Sequence, residues 1–172
     1  MEWRRKDFIG IEVSGKTLGL IGLGKVGQEV ARRAAAFGMR ILAFDPLLSD
    51  EATRKLGVEP STLTELYRCA DFISLHTPLT PETKNLINIG TIRSCKRGVR
   101  IINCARGGIL NEKDLLAGLA EGIVAGAALD VFEQEPPRDS ALVSHPRIIC
   151  TPHLGASTEE AQEKVALQVA RQ

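Results

Sequence analysis

A chain of 172 residues supplies one domain's worth of core and is short for an enzyme that closes two domains around a substrate. With 22 Lys and Arg against 21 Asp and Glu, it has no basic field for nucleic acid or an anionic membrane, and 4% aromatic residues are too few for base-stacking platforms. No long apolar segment and no signal peptide stand out, Trp3 being followed by Arg4, Arg5 and Lys6, so a soluble, cytoplasmic protein is expected.

In chain order, residues 1–16 carry Trp3, Phe8 and Ile9 among charges and read as a lead-in segment. Leu18 to Ile21 is a short apolar run without charge, as expected of a strand buried on both faces of a parallel sheet. Gly22, Gly24 and Gly27 then give G-x-G-x-x-G where that strand must turn into a helix. Val26, Val30, Ala31, Ala34 and Ala35 recur at helical spacing, and Gly38 supplies the stop. Arg40 to Asp45 is a second apolar strand ending in an acid, eighteen residues past Gly27.

Strand, glycine turn, helix, strand and acid together are what dinucleotide binding requires. The first glycine allows a tight turn and the second lets backbone amides approach a pyrophosphate. The third lets helix and strand pack closely, with the helix N-terminus adding partial positive charge. Asp45 suits the ribose hydroxyls and repels a 2′-phosphate. No arginine follows it in Pro46, Leu47 or Leu48, so the cofactor expected is NAD rather than NADP.

Further along, Asp50 to Leu56 is a short helix, and Thr62 with Glu65 opens another over Leu63 to Ala70. Phe72 to Leu75 is a buried strand ending in His76 and Thr77, and a proline-bearing loop and short helix follow through Thr91. Val99 to Asn103 is the next strand, Asn111 caps a helix through Ala120, and Val124 to Val131 is a strand around Asp130. A short helix near Ser140 to Val143, a strand over Arg147 to Cys150, and a final helix opened by a capping box at Ser157 to Glu160 complete the pattern. Alternation throughout implies an α/β, doubly wound parallel sheet of Rossmann type, whose ligands sit at the carboxyl ends of the strands. Cys69, Cys95, Cys104 and Cys150 show no C-x-x-C pair and no histidine at ligand spacing, so reduced, buried or half-buried thiols and no metal site are expected.

The same edge collects His76, Thr77, Arg106, Asp130, Glu135 and His153, each following a strand. Arg106 precedes Gly107 and Gly108, a tight turn that would aim its planar fork at a carboxylate. His153, in Pro152-His153-Leu154-Gly155, can move a proton, and a carboxylate such as Glu135 would favour its imidazolium. Together they suit hydride transfer to a nicotinamide from an acid substrate.

The motifs GLGKVG with Asp45, HTPLTPET, INCARGGILNE, GAALDVFEQEPP and TPHLGAST, in that order, resemble the D-isomer-specific 2-hydroxyacid dehydrogenases along most of the chain. The resemblance implies Arg106, Glu135 and His153 as catalytic arginine, glutamate and acid/base histidine. It implies cofactor contacts from Lys25, Val26, Asp45, Thr77, Cys104, Ala105, Arg106, Asp130, His153, Leu154, Gly155 and Ala156, beside Gly22, Gly24 and Gly27 of the turn. The substrate implied is 3-phosphoglycerate or a similar 2-hydroxy acid, and the full-length form would be a homo-oligomer. In this family the nucleotide domain is inserted within a substrate domain. Residues 1–172 then read as a single NAD-binding domain, with about 1–16 and 158–172 as connecting segments, able to bind NAD but poorly active alone. Glyoxylate and hydroxypyruvate reductases and formate dehydrogenase share these motifs, and the fold also resembles that of the NAD-sensing C-terminal-binding co-repressors.

Overall fold

The computed structural model describes residues 9–137, 141–161 and 163. Its elements run β1 (Thr17–Ile21), α1 (Lys25–Ala36), β2 (Arg40–Phe44), α2 (Asp50–Lys55), β3 (Glu59–Pro60), α3 (Leu63–Cys69), β4 (Phe72–Leu75), α4 (Ile89–Ser94), β5 (Val99–Asn103), α5 (Glu112–Ala120), β6 (Val124–Leu129) and β7 (Ile148–Cys150). The strands form one sheet, all parallel, in the order β3-β2-β1-β4-β5-β6-β7. This is the α/β, doubly wound arrangement that the alternation implies. The winding reverses between β1 and β4, and the crevice outside their carboxyl ends is where such sheets take ligands.

Local chemistry explains the helix starts. Ser49, Thr62, Asn88 and Asn111 each place a side-chain oxygen on amides of the first turn of α2, α3, α4 and α5. Helix α1 differs, because Gly24 caps it without a side-chain acceptor. Its buried line is Gly27, Ala31 and Ala34, with Val30 packed at the margin. The wider stripe read from the sequence is corrected here: Val26 is 65% exposed and Ala35 is also exposed. Small residues at 27, 31 and 34 bring the helix close to the sheet, and only that line reaches it.

Two apolar clusters flank the sheet. One joins Leu18, Leu20, Ile41 and Ala43 to Ala31 and Ala34 of α1. The other joins Ile21, Ile73, Leu75, Ile101 and Leu129 to Leu66, Leu115 and Leu119 of α3 and α5. Strand β1 is therefore buried on both faces as expected, whereas β5 alternates buried and half-buried residues. The register sets Ser74, Ile102, Ala128 and Ile149 in one row across β4 to β7, and Ile149 at its end is 71% exposed.

Three details depart from the sequence reading. Strand β3 was not legible, being two residues long and one of them proline. Residues 141–144 form turns rather than a helix, and Ser140 lies outside the described residues. The last helix is capped by Thr158, whose hydroxyl accepts from the Ala161 amide at 3.1 Å, one residue later than the Ser157 box, while the Ser157 amide closes a turn onto the Leu154 carbonyl. Residues 9–16 carry no regular element, and the rest of both connecting segments, 1–8, 162 and 164–172, falls outside the described residues.

Candidate active site

The glycine turn after β1 is shaped by what it lacks. Gly22 takes φ +94°, and a Cβ there would lie 2.6 Å from the His76 carbonyl oxygen. At Gly27 a Cβ would meet the Gly22 carbonyl oxygen at 2.4 Å, but at Gly24 nothing stands within 4 Å. The turn is thus closed toward the sheet and open outward, where the uncapped amides of α1 can meet a phosphate. Beside it the Thr77 hydroxyl is buried without a hydrogen-bond partner. An orphaned donor next to an open glycine cradle fits a dinucleotide. Asp45 stands at the end of β2, and its carboxylate already accepts the Leu23 amide at 2.7 Å and the Leu47 amide at 2.9 Å. Each oxygen keeps a lone pair for a ribose hydroxyl. His76 lies deeper than the sequence grouping implied: it is bonded to the Ser74 hydroxyl at 3.0 Å, and burial pushes its imidazole toward the neutral form.

The loop after β5 is held by a residue that sequence reasoning passed over. Asn103, 2% exposed, accepts the Ala105 amide at 3.1 Å and donates to the Arg106 carbonyl at 3.0 Å. An asparagine closing an apolar strand is a turn-forming signal that could have found it. Gly107 serves another purpose than aiming Arg106: its Cβ would lie 1.8 Å from the Phe132 carbonyl oxygen, so the loops after β5 and β6 touch backbone to backbone. Arg106 is exposed, with one guanidinium nitrogen donating to the Ala105 carbonyl at 2.6 Å. No hydrogen bond links it to Glu135 or His153 among the described residues. Cys104 next to it is exposed rather than half-buried, and desolvation of its sulfur, with the Asp130 charge second, holds the thiol above its ordinary range.

Glu135 and His153, eighteen residues apart, do meet: Nδ1 of the imidazole lies 2.7 Å from Glu135 Oε2. The other carboxylate oxygen accepts the Phe132 amide at 3.1 Å, and the His153 bond, then the Phe132 bond, keep this carboxyl below its ordinary value. His153 holds φ +55°, a left-handed backbone that its loop must enforce. Asp130, 5% exposed, supplies the enforcement by accepting the Thr151 hydroxyl at 2.5 Å and the amides of Leu154 at 2.8 Å and Gly155 at 2.9 Å. Burial alone would raise the Asp130 carboxyl, but these donors outweigh it and the carboxyl sits below its ordinary value. Phe132, Pro136, Pro137 and Pro152 complete, with the Glu135–His153 pair, a mainly apolar cavity of about 350 Å³.

The turn over β1 and the Glu135–His153 pair beyond β6 and β7 share the carboxyl edge of one sheet. A family model described as "D-isomer specific 2-hydroxyacid dehydrogenase, NAD binding domain" matches residues 1–155. D-3-phosphoglycerate dehydrogenase of Bacillus subtilis is 57% identical over 171 residues, which are 99% of this chain and 33% of that protein. The protein of the same name from Homo sapiens is 52% identical over 99% of this chain and 32% of its own length. A glyoxylate reductase structure from Paecilomyes thermophila superposes with a TM-score of 0.86 at 39% identity, covering 92% of this chain and 48% of that one. The chain thus spans about a third of the length of the curated relatives it matches. With a matching cradle, a matching family model and such relatives, the chain belongs to the D-isomer-specific 2-hydroxyacid dehydrogenases, as their NAD-binding domain.

Proposed function

We propose that this domain serves the NAD-dependent oxidation of 3-phosphoglycerate to 3-phosphohydroxypyruvate, the first step of serine biosynthesis. The observation that carries the reading is the 2.7 Å bond between His153 Nδ1 and Glu135 Oε2 over an apolar cavity. Relatives named D-3-phosphoglycerate dehydrogenase at 51–57% identity support the choice of substrate.

Bound NAD supplies the hydride acceptor. The chain's own residues do the rest. With Nδ1 committed to Glu135, Nε2 of His153 is left for the substrate hydroxyl, and in the oxidative direction the neutral imidazole accepts its proton there. Glu135 fixes the tautomer and stabilises the imidazolium formed, while Asp130 keeps the loop of His153 in place. Arg106 offers its planar fork to the substrate carboxylate, and its exposure lets the guanidinium turn toward the acid. Gly22, Gly24, Lys25, Val26 and Gly27 hold the pyrophosphate, Asp45 the ribose, and Thr77, Cys104, Ala105, Leu154, Gly155 and Ala156 border the rest of the dinucleotide. The mainly apolar walls give one side of a cleft that a second domain would have to close to exclude water from the proton transfer. A homo-oligomeric full-length form in the cytoplasm belongs to the same reading, and among the described residues no helix is long and apolar enough to cross a membrane.

The test is an assay of a full-length enzyme carrying this domain, with NAD and 3-phosphoglycerate, against glyoxylate and pyruvate-class acids. Preference for 3-phosphoglycerate is expected. Activity only on the other acids would move the assignment to a glyoxylate or hydroxypyruvate reductase, the reading that the glyoxylate reductase likeness favours. NAD binding without turnover of any of them would favour a co-repressor-like role. The 172-residue chain by itself is expected to bind NAD and turn over poorly, because closure of a second domain is what dries the cleft. Full-length rates from the isolated chain would overturn that expectation.

A further inference from the structure

The loop that carries Glu135 is tied at a second point, outside the catalytic pair. Glu112, the first residue of α5, reaches across to accept the Glu133 amide at 2.7 Å. The neighbouring amide, that of Phe132, is taken by Glu135 itself at 3.1 Å, and the Phe132 carbonyl rests against Gly107. Phe132 is 6% exposed and roots the loop in the core. A continuous line of bonds therefore runs from Glu112 Oε1 through the Phe132-Glu133 backbone to the Glu135 carboxylate, and from there to His153 Nδ1.

The surroundings of Glu112 exclude an ion pair, a metal site and the capping role. Among the described residues no cation pairs with it, and no group of three or more His, Cys, Asp and Glu could hold a metal. Desolvation pushes its carboxyl up and the nearby Glu133 charge adds to that, so the site costs charge stabilisation and is offset mainly by the one amide donor. Helix capping does not need it, since Asn111 already caps α5 through the Asp114 amide.

We propose that Glu112 is a positioning residue for the acid/base pair. By fixing the Glu133 amide it sets the loop so that Glu135 meets His153. The inference rests on the function proposed above for that pair. What matters is the reach of an acceptor oxygen, and not the charge, because the partner is a neutral backbone N–H. Two substitutions separate these. Glu112→Gln keeps the reach without the charge, and Glu112→Asp keeps the charge but falls one methylene short.

In a full-length enzyme carrying this domain, Glu112→Asp is expected to lower kcat on the order of ten-fold, within the roughly hundred-fold that a 1 Å misplacement can cost. The KM for NAD and the thermal midpoint should stay near wild type, and Glu112→Gln should retain most of the activity. In the 172-residue chain, the Glu133 amide proton should exchange faster in Glu112→Asp than in Glu112→Gln. Glu135→Gln runs alongside as the control on the pair. If it lowers kcat while Glu112→Asp does not, the positioning role is wrong and the pair stands. If Glu135→Gln has wild-type kcat, the pair itself fails and the inference with it. Glu112→Asp outperforming Glu112→Gln would mean that charge is the working feature, which also overturns the proposal.

Discussion

The turn after β1 and the loops after β5, β6 and β7 border one edge of the sheet and are built by opposite means. The turn is made by leaving atoms out: Gly22 and Gly27 let backbone close in on the sheet side, Gly24 leaves the outer side clear, and within the turn Asp45 and Gln28 tie Leu23. The loops are made by adding polar side chains, the buried Asn103 and Asp130 and the half-buried Glu112, each gripping backbone amides or carbonyls. A segment that must admit a phosphate needs room, and a segment that must hold reactive side chains needs anchors. Gly107 does among the anchored loops what Gly22 and Gly27 do in the turn, making room for protein backbone, and only Gly24 opens outward.

That contrast is most exposed to failure at its two kinds of glycine. Gly107→Ala drives a Cβ to 1.8 Å from a backbone oxygen, which no rotamer relieves, and should cost about 3 kcal/mol, the upper part of the overpacking range. Gly24→Ala meets nothing within 4 Å and should leave the melting temperature nearly unchanged while weakening NAD. Equal losses of melting temperature in the two variants would erase the distinction.

On the anchored side, His153→Ala in an active full-length enzyme should lower turnover by about 10²–10⁴-fold, the range of general acid–base catalysis, with little change in NAD affinity. Wild-type turnover would take His153 out of its role. On the open side, Asp45→Ala should weaken NAD roughly ten-fold, as loss of a hydrogen bond to a charged group does, and relax rejection of NADP. Unchanged discrimination between the two cofactors in binding titrations would undo the ribose argument.

The smallest effect concerns pH. The Asp130 carboxyl lies below its ordinary value of 3.8 in the folded chain, so its contribution is present above that value and lost as pH falls through the lower, folded one. Amides of Leu154 and Gly155 should lose exchange protection on that acid limb before the amides of β1 do, and Asp130→Asn should remove most of the difference. Simultaneous loss would mean that the two regions are not held separately. Glu135 titrates in the same direction but is partly exposed, so screening leaves it a minor share.

These two building methods also decide what can be read from a sequence. Glycines at fixed spacing between an apolar strand and a helix have one economical explanation, so the turn, Asp45 and the parallel sheet were all legible. Arg106, Glu135 and His153 were legible as residue types at strand ends and through the family resemblance. Their anchors were not. Asn103 looks like the last residue of a strand and Glu112 like an ordinary first-turn acid, and their partners lie in carbonyls and amides that have no letter of their own. A shared place after strands, with the family resemblance, suggested the Glu135–His153 pair, but only folding brings residues eighteen apart to 2.7 Å. The rising exposure along Ile102, Ala128 and Ile149 escaped because a short apolar run reads the same whether one face or two are covered.

The missing Cβ of Gly107 has a mechanical consequence. With the backbone of 107 against the Phe132 carbonyl, the segment bearing Arg106 packs directly on the segment bearing Glu135. Whatever approaches this edge of the domain, substrate or a closing neighbour, meets the two segments together. The Arg106 guanidinium, exposed and bonded to the carbonyl of its own neighbour Ala105, is then the adjustable part of that edge, while the loop of His153 is held by Asp130.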